Sequence, residues 1–278
     1  MKSTYVIGEI GINHNGCLGN VEKLVKTAAL AGFNAVKFQK RNPEICVPKK
    51  QRNKIKQTPW GEMSYLEYKH RIEFNKNDYN EIDKICRSNN IEWSASPWDI
   101  DSAAFLTQYK LPWIKIASAS LTNIPLLEYC SSLYKNIIMS TGMSTEEEID
   151  KAYEILSKKN NNITVLHCNS EYPTPPENVN LNYITRLKQK FPNSKIGYSG
   201  HEYGLTTSIC AVALGAEYIE RHITLDKTMW GSDQMVSIEP HGMFKLVRGI
   251  REIEMATGNT IKKFTKKEKE KRETLSKT

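Results

Sequence analysis

The sequence predicts a single (β/α)8 barrel, a closed parallel sheet wrapped by helices. Eight short runs rich in apolar and β-branched residues alternate with segments whose apolar residues recur at helical spacing. A parallel neighbour is reached only through a crossover, usually a helix, so this alternation points to a parallel sheet. The eight pairs nearly exhaust the 278 residues, and the first turn lacks the GxGxxG of an open dinucleotide-binding sheet.

The expected strands cover residues 5–10, 35–39, 92–96, 113–117, 136–140, 163–167, 195–199 and 218–222. The expected helices cover 21–31, 78–89, 101–109, 125–133, 145–157, 181–190, 205–215 and 241–257. Ser144, with Glu147 three residues on, predicts a capping box for the helix after the Ser140-Thr141-Gly142-Met143 turn. Residues 40–77 separate the second strand from its helix, far more than the usual few residues, and so predict a lid or substrate loop. The barrel is expected over residues 1–261 and a charged tail over 262–278.

Composition excludes several classes. The formal charge of +8 is concentrated in the tail, where eight Lys or Arg face three Glu, leaving +3 for the other 261 residues. That run reads as a solvated mixed-charge segment, and no basic patch interleaved with aromatics argues for nucleic acid. No uncharged apolar run approaches the roughly 20 residues that cross a bilayer, and the first residues make a poor signal peptide. The six cysteines are scattered, with no CxxC pair, and read as reduced thiols. A soluble, cytoplasmic protein is expected, with no membrane or nucleic-acid partner.

In a barrel of this kind the active site lies at the C-terminal strand ends. Alternation puts Ser199 and His201 on one side of the seventh strand's line, and Glu220 with His222 on one side of the eighth, so neighbouring strands bring two imidazoles to one mouth. Two nitrogens suit a borderline divalent ion such as Mn, Zn, Co or Fe, with positions left for oxygen ligands; a buried, hydrogen-bonded pair is the alternative. Lys37 and Lys115 lie in apolar strands and must reach water or face an anion. With Ser96, Ser118, Ser140 and Ser199 they form a set suited to a phosphate and a carboxylate; a structural ion pair with Glu9 or Glu220 explains at most one lysine. Glu9 and Asp233 are carboxylates placed to accept from hydroxyls or to move protons. Tyr172, in a proline-broken loop, lines the same end. His14 and His167 read as structural, His70 and His241 as surface residues.

Taken together, Glu9-Ile10-Gly11-Ile12-Asn13-His14-Asn15-Gly16, Val36-Lys37-Phe38-Gln39, Lys115-Ile116-Ala117-Ser118, Ser140-Thr141-Gly142-Met143, His167-Cys168 through Tyr172-Pro173-Thr174-Pro175, Ser199-Gly200-His201 and Glu220-Arg221-His222 through Asp226 resemble the N-acetylneuraminate synthase family. The likeness runs in order from about residue 5 to 240. It implies condensation of phosphoenolpyruvate with N-acetylmannosamine or a related N-acylated hexose, usually with Mn2+, in a homodimer. By that similarity His201 and His222 are the metal ligands. Lys37, Ser96, Lys115, Ser118, Ser140 and Ser199 hold phosphoenolpyruvate, while Glu9, Gln39, Tyr172 and Asp233 contact the sugar. Glu9, Lys115 and Asp233 are the expected catalytic groups. Two departures stand out: Ala119-Ser120 replaces a Glu that some members carry, and members continue into a small antifreeze-like domain that lends an Arg to the partner's site. Rival readings are a related nonulosonate synthase, a Schiff-base aldolase using Lys115, and a non-catalytic homologue.

Overall fold

The computed structural model describes residues 3–159 and 161–276 of the chain. Its strands are β1 (Tyr5–Gly11), β2 (Ala35–Lys40), β3 (Ile55–Thr58), β4 (Gly61–Ser64), β5 (Glu92–Pro97), β6 (Ile114–Ile116), β7 (Asn136–Ser140), β8 (Asn162–Cys168), β9 (Lys195–Gly200) and β10 (Tyr218–His222). All except β3 and β4 are the eight expected runs. They pair in parallel in the order β5-β2-β1-β10-β9-β8-β7-β6. The end strands β5 and β6 lie side by side, and the Ser94 hydroxyl donates to the Trp113 carbonyl across the seam. The sheet is a closed (β/α)8 barrel.

Side-chain alternation divides the apolar residues into two bodies. Val6, Val36, Phe38, Ile114, Ile116, Met139, Val165, Ile196 and Ile219 point outward and form the main core with the surrounding helices. Ile7, Ala35, Trp113, Ile138 and Leu166 point inward and close the lower barrel as a separate plug, with Tyr5 and Tyr218 against it. Above the plug the inward positions turn polar. Glu9 lies in register with Lys37 and His222, Gln39 with Ser96, and Glu220 with Ser199. The site is therefore the upper interior of the barrel itself.

The helix Glu146–Ser157 is capped by Thr145, whose hydroxyl accepts from the Glu148 amide while Glu148 accepts from the Thr145 amide. The expected Ser144–Glu147 box is thus displaced by one residue. Ser144 instead donates to the Gly142 carbonyl, and Met143 takes φ 56°, so the chain is still turning there. Residues 40–77 are not a bare loop. They fold as a short helix Pro43–Cys46, the β3–β4 antiparallel hairpin and a helix Tyr65–Ile72 with a Ser64–Glu67 capping box. Tyr68 and Ile72 pack with Ile12, and Trp230 meets Tyr68 edge-on at 4.9 Å, which holds this lid on the barrel mouth. In the tail, Thr265 and Glu268 cap a helix Lys266–Leu275 with no buried residue, as its solvated composition requires. Among the described residues, no helix is long and apolar enough to cross a membrane.

Gly197 points into the plug, where a Cβ would lie 2.5 Å from the Tyr218 carbonyl oxygen and 2.6 Å from Leu166. Overpacking a backbone contact costs about 1–3 kcal/mol. Gly197→Ala is expected to lower the urea unfolding midpoint accordingly, and an unchanged midpoint would contradict this packing.

Candidate active site

A cavity of about 340 Å³ opens at the upper end of the barrel. Glu9, Lys37, Gln39, Ser96, Lys115, Ser118, Ser140, Tyr172, Ser199, His201, His222 and Asp233 all line it. Every residue that the sequence assigned to the site is thus brought to one space: parity sends the strand residues to the interior, and Ser118, Tyr172, His201 and Asp233 reach it from the segments beyond the strand ends.

The floor is a buried ionic quartet. Lys37 Nζ lies 2.6 Å from Glu9 Oε2 and 3.9 Å from Glu220 Oε2, and it donates to Ser96 Oγ at 3.0 Å. Lys115 Nζ lies 3.4 Å from Glu220 Oε1 and donates to Ser140 Oγ at 2.7 Å. Ser199 donates to the same Glu220 Oε1 at 2.9 Å. Both lysines are therefore ion-paired, where the sequence suggested one at most. Glu220, which sequence reasoning left out of the site, sits between them.

The two carboxylates are driven apart. Burial would raise Glu220, but Lys115 and Lys37 hold it down to about 2. Glu9 is raised above the usual carboxylate range, first by burial and then by Glu220, against the pull of Lys37. Burial draws Lys115 below the ordinary lysine range, whereas Glu220 and Glu9 outweigh burial at Lys37 and keep it high. Carboxylates separated in this way divide their labour: one stays an anion, the other is ready to carry a proton. With Glu9 protonated the quartet bears a net positive charge and can take an anionic ligand.

Against the wall stand the imidazoles, with ring centroids 5.4 Å apart. His201 Nδ1 lies 2.7 Å from the Asn169 carbonyl, so that nitrogen donates and Nε2 is left as an acceptor, 2.8 Å from the Tyr172 hydroxyl. His222 Nδ1 is buried with no hydrogen bond, 3.8 Å from Asp233 Oδ2. Burial, with His201 and Lys37 adding to it, lowers His222 to about 3, so it is neutral and able to donate a lone pair. An orphaned buried nitrogen on one of two neighbouring imidazoles fits a divalent ion. Among the described residues no third His, Cys, Asp or Glu joins the two imidazoles in a metal-binding group.

Several supporting groups were not legible. The Gly142 amide donates to Ser118 Oγ at 3.1 Å and Thr141 N to the Leu166 carbonyl, so two amides of that turn are already spent on structure. Gly142 has no room for a Cβ, which would lie 2.2 Å from Ser170 Oγ. Beneath the imidazoles Arg221, 1% exposed, bonds Glu202 at 2.8 Å, the Glu202 carbonyl at 2.6 Å and Ser208 at 2.8 Å, fixing the β9 and β10 ends that carry them. At the mouth, Arg41 and Lys69 of the lid, with Trp98, add a rim that the sequence did not reveal. His14 stacks on Phe74 at 4.2 Å and His167 lies 2.6 Å from the Val179 carbonyl, both structural, while His70 and His241 are exposed as expected.

The sequence model of the NeuB family matches residues 24–262. The chain is 40% identical over 273 residues to N,N'-diacetyllegionaminic acid synthase of Campylobacter jejuni, covering 96% of this chain and 81% of that protein. It is 37% identical over 262 residues to N-acetylneuraminate-9-phosphate synthase of Homo sapiens, covering 94% and 73%. The crystal structure of an N-acetylneuraminic acid (sialic acid) synthetase from Leptospira borgpetersenii, in complex with citrate, superposes with a TM-score of 0.85 at 32% identity, covering 100% of this chain and 94% of the other.

Removing one member of a buried ion pair leaves an uncompensated charge, at about 3–5 kcal/mol. Glu220→Gln is expected to lose about that much folding stability, and adding Lys115→Met to regain part of it. Urea titrations of the single and double variants check this. A single variant as stable as the parent, or purely additive losses, would show that the quartet does not hold the floor.

Proposed function

The chain belongs to the NeuB family of synthases, and from that premise we propose that it condenses phosphoenolpyruvate with an N-acylated hexose and water to give a nonulosonate and phosphate. One observation supports the reading most strongly: two lysine–serine pairs, Lys37–Ser96 and Lys115–Ser140, face a pair of imidazoles across a buried carboxylate. The lysines and serines suit the phosphate and carboxylate of phosphoenolpyruvate. Ser118 and Ser199 extend that cradle, and Gln39, Tyr172 and Asp233 line the side where the sugar would lie.

His201 and His222 would hold a divalent cation, Mn2+ by family likeness. When bound, it supplies Lewis-acid polarisation of the sugar aldehyde oxygen. The chain's own residues do the rest. Lys37 and Lys115 fix the enol so that its C3 meets the aldehyde carbon, and the new C–C bond leaves an alkoxide and a cationic C2. Glu9, whose carboxyl burial raises above the usual carboxylate range, is placed to give that oxygen its proton. Water then adds to C2 and loses a proton, for which ionised Glu9 is the nearby acceptor. Collapse of the tetrahedral centre breaks the C2–O bond, leaving the ketone and inorganic phosphate held by the lysines. Glu220 stays an anion and keeps both lysines in place. The named relatives divide over whether the product carries a phosphate of its own.

Loss of the enol ultraviolet absorbance of phosphoenolpyruvate, with Mn2+ and a panel of N-acylated hexoses, tests the proposal. Turnover is expected with at least one sugar, abolished by a chelator and reduced at least about 100-fold in His222→Ala. Full activity in His222→Ala, or borohydride trapping of a keto acid on Lys115 with activity surviving chelation, would overturn it.

A further inference from the structure

The lid places two cations on the cavity rim with less counter-charge than they require. Lys69, in the helix Tyr65–Ile72, is 8% exposed, and among the described residues no carboxylate lies within ion-pair distance of its ammonium. Its near contacts are the faces of Tyr65 at 5.3 Å and Tyr68 at 5.2 Å. Cation–π contact offsets only part of the cost of burying an ammonium. Arg41 stacks over Trp98 at 4.5 Å and gives one NH2 bond to Gln39 Oε1. Its carboxylate neighbour Glu73 lies 3.8 Å away and is already engaged by Lys40 at 2.7 Å. Both rim cations line the cavity that holds the lysine floor.

We propose that Lys69 and Arg41 form a second anion subsite that receives a phosphate on the far end of the acceptor sugar, making the substrate a hexose phosphate rather than a free hexose. This rests on the condensation proposed above, and the geometry is consistent with it. Lys37, Gln39 and Arg41 share one parity, and Arg41 follows directly on β2, so its backbone stands roughly 13 Å beyond that of Lys37 at about 3.3 Å per residue. That span accommodates phosphoenolpyruvate at the floor and a six-carbon chain above it. Gln39 joins the two ends, bonding Glu9 Oε1 at 3.0 Å below and Arg41 above. Burial and the adjacent Arg41 lower Lys69 to about 8, a repulsion that a bound dianion would relieve. Condensation adds three carbons at the aldehyde end, so a phosphate on C6 of the hexose would sit on C9 of the product and take no part in the reaction.

The test compares N-acetylmannosamine with N-acetylmannosamine 6-phosphate by enol consumption, in the parent and in Lys69→Ala. The parent is expected to prefer the phosphorylated sugar in kcat/KM, and Lys69→Ala to cut that preference roughly 10- to 100-fold, mostly through KM, as loss of a charge-assisted hydrogen bond does. Equal kcat/KM for both sugars in the parent, or a preference unchanged in the variant, would overturn the subsite. Calorimetric binding of N-acetylmannosamine 6-phosphate reads it without turnover: weaker binding in Lys69→Ala with no condensation in either protein would sustain the subsite and refute the reaction, whereas equal binding would refute the subsite. Circular dichroism of Lys69→Ala confirms that the comparison is between folded proteins.

Discussion

Glu220 lies between two buried lysines, and the site depends on that contact. Without it Lys37 and Lys115 would be two like charges inside a barrel, each losing its hydration with only Glu9 in return. With it they are held as cations at a fixed separation, each with a serine hydroxyl at its side. The arrangement does not maximise stability; an apolar interior of the same volume would fold at least as well. What it provides is a rigid, dry pair of cations in a place that water cannot screen.

The fold makes this affordable through a plug. Ile7, Ala35, Trp113, Ile138 and Leu166 fill the lower barrel, so the polar layer above is backed by a packed interior. Parity does the sorting. One residue out of register in β2 would exchange Lys37 for Phe38, sending the ammonium into the outer core and the ring into the site. The eight-strand closure, the plug and the quartet are thus one design, read from the same alternation.

That alternation is why the barrel and twelve of its lining residues were legible in the sequence. Runs such as Val36-Lys37-Phe38-Gln39 show both the period and the anomaly that an inward charge creates. Glu220 carried the same signal, sharing parity with His222, and was missed because a carboxylate beside a lysine reads as a structural pair. The cap was missed by one residue because Ser144–Glu147 and Thr145–Glu148 are equally good boxes; only the Met143 turn decides between them. The place of the lid was legible from the length of residues 40–77, but its fold was not. Its polar, mixed-charge sequence has no period, and Lys69 looks like any surface helix residue until Tyr65, Tyr68 and Trp230 fold it over the mouth.

In the proposed reaction the lysine floor holds a phosphoenolpyruvate whose C2 becomes a tetrahedral centre that expels phosphate with its bridging oxygen. Oxygen-18 placed at that bridge tests it most directly, by mass spectrometry of both products after turnover. Label recovered in inorganic phosphate is the predicted result. Label retained in the sugar acid would mean that the P–O bond broke instead, and would contradict the account.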